Sequence, residues 1–181
     1  MLKIACFGDS LIEGFPFGPE VSWCAEAEQG ANFQLLNYGV CGECCADISW
    51  RLQHTVLPED VSGIIFLGGA NDGLCGVPPE QSALAVRRAA DWANRRHLHF
   101  AVVLPFLCAD LELNRRLAQL TRLLRQEGYY FFDLQDGLGG EELENSFTDG
   151  VHPTVMAYRR LGQVARPQIE CWIKRWSEKN E

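Results

Sequence analysis

Five short apolar runs recur along the chain, and segments with a different pattern separate them. The runs are Leu2–Phe7, Phe33–Tyr38, Gly63–Leu67, His99–Leu104 and Tyr129–Leu134. They are continuously apolar instead of alternating between polar and apolar positions, which is typical of parallel strands covered by helices on both faces.

Two of the separating segments have apolar residues at helical spacing. Residues 79–96 place Ala83, Val86, Ala90 and Ala93 on one side, and residues 111–127 place Leu113, Leu117, Leu120 and Leu124 on one stripe. Pro78-Pro79 and Pro153 mark helix starts. Because strand and helix alternate, the sequence predicts a three-layer α/β/α sandwich with a parallel sheet and right-handed crossovers.

Length and composition favour one domain over residues 1–181. The chain has 181 residues, 47% of them hydrophobic, which suffices for one substantial core. It contains no internal repeat and no interdomain linker, and residues 177–181 are the only candidate tail. The formal net charge of −8 disfavours nucleic acid or an anionic membrane as a partner, so we expect a small-molecule ligand.

The location of the protein is predicted from what its hydrophobic segments lack. The apolar stretch from Ile4 to Phe7 is too short for the core of a signal peptide, and no segment reaches the roughly 18 apolar residues of a membrane span. We therefore expect a cytoplasmic protein. The sequence does not indicate its oligomeric state.

The eight cysteines are expected to be free thiols in such a chain. The stretch Cys41-Gly42-Glu43-Cys44-Cys45 leaves a metal or redox site open as an alternative, with Cys75 and Cys108 as further candidates. We favour thiols that line or underlie a pocket rim, with no metal and no cofactor.

Polar residues and glycines follow four of the five predicted strands. They are Gly8-Asp9-Ser10, Asn37-Tyr38-Gly39-Val40-Cys41-Gly42, Gly68-Gly69-Ala70-Asn71-Asp72 and, further on, Thr148-Asp149-Gly150-Val151-His152-Pro153. Parallel sheets carry their functional loops at the carboxyl ends of the strands, so these segments are expected to converge.

Together these residue types fit acyl transfer. Ser10 could be a nucleophile, His152 its base and Asp149 the carboxylate that orients the base. The amides of Ser10 and Gly39 and the side-chain amide of Asn71 could stabilise an oxyanion. Pro153 would begin a helix and hold His152 at its amino end.

The four segments resemble the conserved blocks of the SGNH hydrolases, the GDSL family of esterases and lipases. The resemblance spans residues 8 to 153 and implies a catalytic Ser10, His152 and Asp149, with Ser10, Gly39 and Asn71 as the oxyanion hole. It also implies a flavodoxin-like sheet of five parallel strands in the order 2-1-3-4-5. Ile12 and Thr154 depart from the family's common threonine and asparagine.

Simpler roles remain open for the same residues. Ser10 could be a helix N-cap, Asn71 could cap a turn, Asp149 could be a turn residue and Gly39 could supply a positive φ. Structural or surface roles are expected for His54, His97 and His99, and Trp172 and Trp176 are expected to pack on the sheet or a neighbouring element.

A substrate site is predicted around the serine. We expect Asp9, Phe15, Phe17 and Phe106 to contribute to it, although Phe15, Phe17, Phe106, Trp23 and Leu107 could instead be core residues. The predicted function is hydrolysis of small, short-chain acyl esters, such as acetyl esters of carbohydrates, through an acyl-enzyme. An acyltransferase, an acyl-thioesterase and a non-catalytic flavodoxin-like binding module are the alternatives. No phosphate-binding glycine loop supports a nucleotide ligand.

Overall fold

A five-stranded parallel sheet forms the centre of the computed structural model, which describes residues 1–139, 143 and 145–178. The strands are β1 Leu2–Gly8, β2 Phe33–Gly39, β3 Val61–Leu67, β4 His99–Val103 and β5 Tyr130–Phe132. Their order is β2-β1-β3-β4-β5, all parallel, so the predicted fold class and strand order are confirmed.

Seven α-helices accompany the sheet in the described part of the chain. They are α1 Ser10–Glu13, α2 Trp23–Glu28, α3 Cys45–His54, α4 Ala70–Cys75, α5 Pro79–Asn94, α6 Leu111–Leu124 and α7 Val155–Glu178. Short 3-10 helices span Pro19–Val21 and Gln135–Leu138. No helix in the described ranges combines the length and apolar character that crossing a membrane requires.

Successive residues of β1 enter two different hydrophobic clusters. Ile4 and Cys6 pack with Trp23 of α2 and Tyr158 of α7, whereas Ala5 and Phe7 pack with residues of α3 and α5. Helix α6 contributes leucines to both clusters. Side chains of a strand alternate between the faces of a sheet, so a continuously apolar strand buries both faces and produces the three layers.

The last helix packs closely on the sheet through two tryptophans. Trp172 and Trp176 are buried, and a Cβ added at Gly63 of β3 would lie 3.1 Å and 3.0 Å from their rings. The expectation that these tryptophans pack against the sheet is confirmed. A side chain at Gly63 would therefore require the two rings to shift by a few tenths of an ångström.

The start of α7 differs from the sequence prediction. Pro153 is not its first residue: it pairs with Phe147 in an isolated antiparallel bridge, and the helix begins at Val155. Thr154 is the residue before the helix, and two amides of the first turn donate to it. The Tyr158 amide donates to the Thr154 carbonyl, and the Ala157 amide donates to Thr154 Oγ1. A threonine side chain satisfies a first-turn amide that Pro153 could not, so the helix starts later.

Other element ends also differ by a few residues. α5 and α6 end at Asn94 and Leu124, before the predicted Arg96 and Glu127, and β5 is only three residues long. The predicted tail, residues 177–181, begins inside α7, because that helix continues to Glu178. Residues 179–181 lie outside the described part of the chain.

Candidate active site

The loop that carries Ser10 leaves the middle of the sheet. In the strand register Gly8 of β1 lies beside Gly39 of β2 and Leu67 of β3. The residues that follow these three strands therefore meet at one edge, as predicted for the carboxyl ends of parallel strands.

Ser10 is the first residue of α1 and is only 4% exposed. Asp9, not Ser10, is the N-cap of this helix, because its Oδ1 accepts from the Leu11 amide at 2.9 Å. The interpretation of Ser10 as an N-cap is therefore wrong. Its own amide lies in the first helical turn, where amides have no partner within the helix.

Ser10, His152 and Asp149 form a continuous hydrogen-bonded chain. The distance from Ser10 Oγ to His152 Nε2 is 3.0 Å, and that from His152 Nδ1 to Asp149 Oδ2 is 2.7 Å. An ionised carboxylate can only accept, so the Nδ1 of a neutral imidazole carries the proton and Nε2 accepts from the serine hydroxyl. This is the arrangement in which a histidine can take the serine's proton.

Asp149 also shapes the loop around His152. Its Oδ1 accepts from the amides of Val151 at 3.0 Å and His152 at 2.8 Å, so the expected turn role is present together with the contact to the imidazole. Partial burial raises the pKa of the Asp149 carboxyl, but the hydrogen bonds from His152 and Val151 outweigh it and bring the pKa to about 2. The carboxylate is therefore ionised at neutral pH.

Two of the three predicted oxyanion donors already have partners within the protein. The Gly39 amide donates to Asn37 Oδ1 at 2.9 Å. Asn71 Nδ2 donates to the carbonyl of Glu43 at 2.9 Å, which fixes the plane of its amide. Binding an oxyanion at Gly39 requires either a shared hydrogen bond or a turn of the Asn37 side chain, whereas Asn71 has a second amide hydrogen.

Gly39 is needed for close packing and not for a positive φ. It is absent from the positive-φ glycines, and a Cβ added to it would lie 2.1 Å from the backbone nitrogen of Glu13. The interpretation that Gly39 supplies a positive φ is therefore wrong. The absence of a side chain lets the end of α1 rest directly on β2.

Asp9 lies beneath the site and is not exposed to solvent. It is fully buried, so the prediction that it binds substrate directly is not supported. Burial, together with the charges of Asp72 and Glu43, raises the pKa of its carboxyl to about 7 despite the Leu11 hydrogen bond. Its second oxygen lies 3.5 Å from Asn71 Nδ2, the outer limit of a hydrogen bond.

Aromatic side chains near the site divide into exposed and core residues. Phe15 is 38% exposed, and its ring lies 4.7 Å from the ring of His152. Phe17 is also exposed. Phe106, in contrast, is 5% exposed and packs in the hydrophobic core together with the fully buried Trp23. The prediction that Phe106 contributes to the substrate site is therefore not supported, and the alternative of a core residue is. Leu107 is exposed.

Three supporting residues were not predicted. Glu43, besides anchoring Asn71, forms an ion pair with Arg51, whose guanidinium also donates to the Gly8 carbonyl at 3.1 Å. The buried Tyr158 hydroxyl donates to the Phe15 carbonyl at 2.9 Å. A signal existed only for Glu43, which lies in a strand-end loop. The other two lie on helices, and the sequence pattern does not show that they reach the site.

The other histidines have structural surroundings. His54 contacts the Trp50 carbonyl through Nδ1, and His99 stacks on Trp176. His97 has a φ of 57° at the turn before β4. All eight cysteines, which fall within the described residues, are free thiols. Across those residues no group of three potential metal ligands converges.

The sequence model of the GDSL-like lipase/acylhydrolase family matches residues 6–160. No curated protein matches the chain in sequence. The match includes all four segments described above and ends within α7.

Solved structures of low sequence identity share this fold. A protein from Desulfitobacterium hafniense, described as lipolytic and of the G-D-S-L family, is 20% identical with a TM-score of 0.82, over 93% of this chain and 99% of that one. Esterase EstA from Pseudoalteromonas sp. is 17% identical with a TM-score of 0.79, over 96% and 100%. The acetylxylan esterase Axe2 from Geobacillus stearothermophilus is 18% identical with a TM-score of 0.76, over 93% and 94%.

Proposed function

Since the chain belongs to the GDSL-like lipase/acylhydrolase family, we propose that it is a serine esterase in which Ser10, His152 and Asp149 perform the reaction. As a member of this family it is a carboxylic ester hydrolase. The observation that carries the residue assignment is the 3.0 Å contact between Ser10 Oγ and His152 Nε2, extended by the 2.7 Å contact to Asp149.

The reaction proceeds in two halves. Ser10 Oγ attacks the ester carbonyl while His152 Nε2 takes the hydroxyl proton, and the imidazole then gives that proton to the leaving alcohol. Water attacks the resulting acyl-enzyme, its proton goes to Nε2 and then to Ser10 Oγ, and the carboxylic acid leaves. Asp149 keeps Nδ1 protonated and stabilises the imidazolium in both halves.

The oxyanion would be held by the Ser10 amide, the Gly39 amide and Asn71 Nδ2. Ser10 follows β1 closely and Gly39 ends the neighbouring strand β2, while Asn71 is fixed by the Glu43 carbonyl. The bond between the Gly39 amide and Asn37 would be shared with the oxyanion or released when substrate binds. Catalytic hydrogen bonds, such as those from these donors to the oxyanion, often form fully only when substrate is bound.

A short acyl group is the substrate that fits the surroundings best. Only Asp9 separates β1 from α1, and only Gly68 and Gly69 separate β3 from α4. Because these connections are short, they form a shallow substrate site around Ser10. Phe15 beside His152 provides apolar surface at the reacting centre. By analogy with the acetylxylan esterase of similar fold, we extend the proposal to acetyl esters of carbohydrates.

Other predictions about the protein stay predictions. They concern a single domain over residues 1–181, a cytoplasmic location, and the acyltransferase and thioesterase alternatives. Transfer of the acyl group to another acceptor would use the same first half of the reaction and would appear as a second product when an alcohol is added to the assay.

Labelling with a fluorophosphonate tests the nucleophile. We expect one adduct, mapped to Ser10, that is absent in Ser10→Ala and unchanged in Ser49→Ala, a buried helical serine outside the site. A folded protein that stays unlabelled would contradict the assignment. A series of p-nitrophenyl esters from acetate to palmitate then tests the acyl length, and a higher kcat/KM for palmitate than for acetate would contradict the short-chain proposal.

A further inference from the structure

The cysteine-rich stretch after β2 lies directly on helix α4. Glu43 accepts from Asn71 Nδ2 through its carbonyl at 2.9 Å, and the Cys45 amide donates to Asp72 Oδ2 at 2.8 Å. Two bonds therefore join residues 43 and 45 to neighbouring residues of α4. Cys44, which lies between them, is held against the same helix.

Cys75 lies on the face of α4 that the loop after β2 contacts. It comes three residues after Asp72, and residues three apart lie on the same face of a helix. Cys75 lies near enough to Cys44 to contribute to the raised pKa of the Cys44 thiol, in agreement with this placement. The backbone arrangement and the influence of Cys75 on Cys44 thus agree that the two thiols are neighbours.

Both thiols of this pair are accessible to small reagents. Cys75 is exposed and Cys44 is partly exposed. Cys6 and Cys24 also lie near each other, but both are buried in the core. Among the cysteines, the pair of Cys44 and Cys75 therefore combines proximity with access from solvent.

We propose that Cys44 and Cys75 form a reversible disulfide, a modification site that reacts with low-molecular-weight disulfides such as oxidised glutathione. The Cys75 thiolate attacks one sulfur of the reagent and releases one thiolate, which leaves a mixed disulfide on Cys75. The Cys44 sulfur then attacks Cys75 Sγ, loses its proton to solvent and releases the second thiolate. Both protein thiols are oxidised, and one molecule of disulfide reagent is reduced to two thiols.

The order of these steps follows from the surroundings of Cys44. Burial, followed by the charge of Asp72 and the influence of Cys75, raises the pKa of the Cys44 thiol to about 12. The more exposed Cys75 therefore attacks first, and closure of the ring by Cys44 speeds up as the pH rises.

The disulfide would join the loop after β2 to the helix that carries Asn71. The hydrogen bonds of Glu43 and Cys45 already hold these segments together, so closure requires little movement of Asn71. We therefore expect activity to be kept within about twofold, while a crosslink that closes a loop of about 30 residues raises Tm by about 5–10 °C.

The test exposes the full-length protein to oxidised glutathione, with the other thiols alkylated afterwards and the peptides mapped by mass spectrometry. We expect loss of two hydrogens, a linked pair of peptides containing Cys44 and Cys75, and reversal by dithiothreitol. The link should be absent in Cys44→Ser and in Cys75→Ser and present in Cys171→Ser, an exposed cysteine on α7. Cys44→Ser keeps a preferred N-cap residue before α3, so it should fold normally.

Three outcomes would overturn the proposal. They are a stable glutathione adduct on Cys75 beside an unmodified Cys44, two unmodified thiols after prolonged exposure at pH 8.5, and linkage of either cysteine to Cys41 instead. Because the readout is the covalent link, it is independent of the proposed esterase activity.

Discussion

Replacing Asp9 with asparagine should make the stability of the protein less sensitive to pH. Asp9 is fully buried, and its pKa is raised from 3.8 to about 7 by burial and by neighbouring acidic charges. An asparagine at this position has nearly the same shape. Its Oδ1 can still accept from the Leu11 amide and cap α1, but it carries no ionisable group.

The sign of the effect follows from where Asp9 holds its proton. Between about pH 4 and pH 7 the folded protein keeps a proton on Asp9 that the unfolded chain has released, so stability falls as the pH rises through this range. A difference of about 3 pKa units corresponds to about 4 kcal/mol in total. About 2.5 kcal/mol of this loss occurs between pH 5 and pH 8, because part of it has already occurred below pH 5.

Urea unfolding followed by tryptophan fluorescence measures this difference. The free energy of unfolding of Asp9→Asn, minus that of the unchanged protein, should rise by about 2.5 kcal/mol from pH 5 to pH 8. Asp110→Asn is the matched control, because Asp110 is also an N-cap aspartate but is exposed at the start of α6. If the two proteins lose stability in parallel over this range, the reasoning about buried Asp9 is wrong.

Three further substitutions test the proposed active site. Asn71→Ala should keep the fold and lower kcat by about 10²–10³-fold. A near-normal kcat in this variant would show that Asn71 is not an oxyanion donor. Asp149→Asn should lower kcat by up to about 10⁴-fold, since an amide facing Nδ1 favours the wrong tautomer; a loss below tenfold would contradict its role. Gly39→Ala should destabilise or inactivate the protein, because its Cβ would lie 2.1 Å from the Glu13 nitrogen. A normal Tm and kcat would show that α1 can move aside.

The parts of the fold that could be predicted are those that local pattern determines. Runs that are mostly apolar identified all five strands, because a strand covered on both faces has few polar positions. The contact between Ser10 and His152 could be anticipated because each follows a predicted strand or loop at the same edge of the sheet. Residues 142 positions apart in sequence are thereby brought together by topology alone.

The parts that could not be predicted depend on packing between distant segments. The sequence does not show that Asp9 faces inward or that Phe106 joins the core. Each lies in a loop after a strand, and such loops contain both buried and exposed residues. The partner of the Gly39 amide is a side chain two residues earlier, whose rotamer no periodicity encodes. Likewise, α7 begins at Val155 and not at Pro153, because the Thr154 side chain accepts from the Ala157 amide.

The bond from the Tyr158 hydroxyl to the Phe15 carbonyl ties α7 to the loop that follows the serine helix. A nascent chain released from the ribosome only as far as β4 would therefore contain the proposed nucleophile Ser10 but neither the proposed base His152 nor this hydrogen bond. Ester cleavage during translation should begin abruptly, once residues 152–178 have emerged and docked. Enzyme activity thus serves as a late reporter of folding, silent in every intermediate that lacks the final helix.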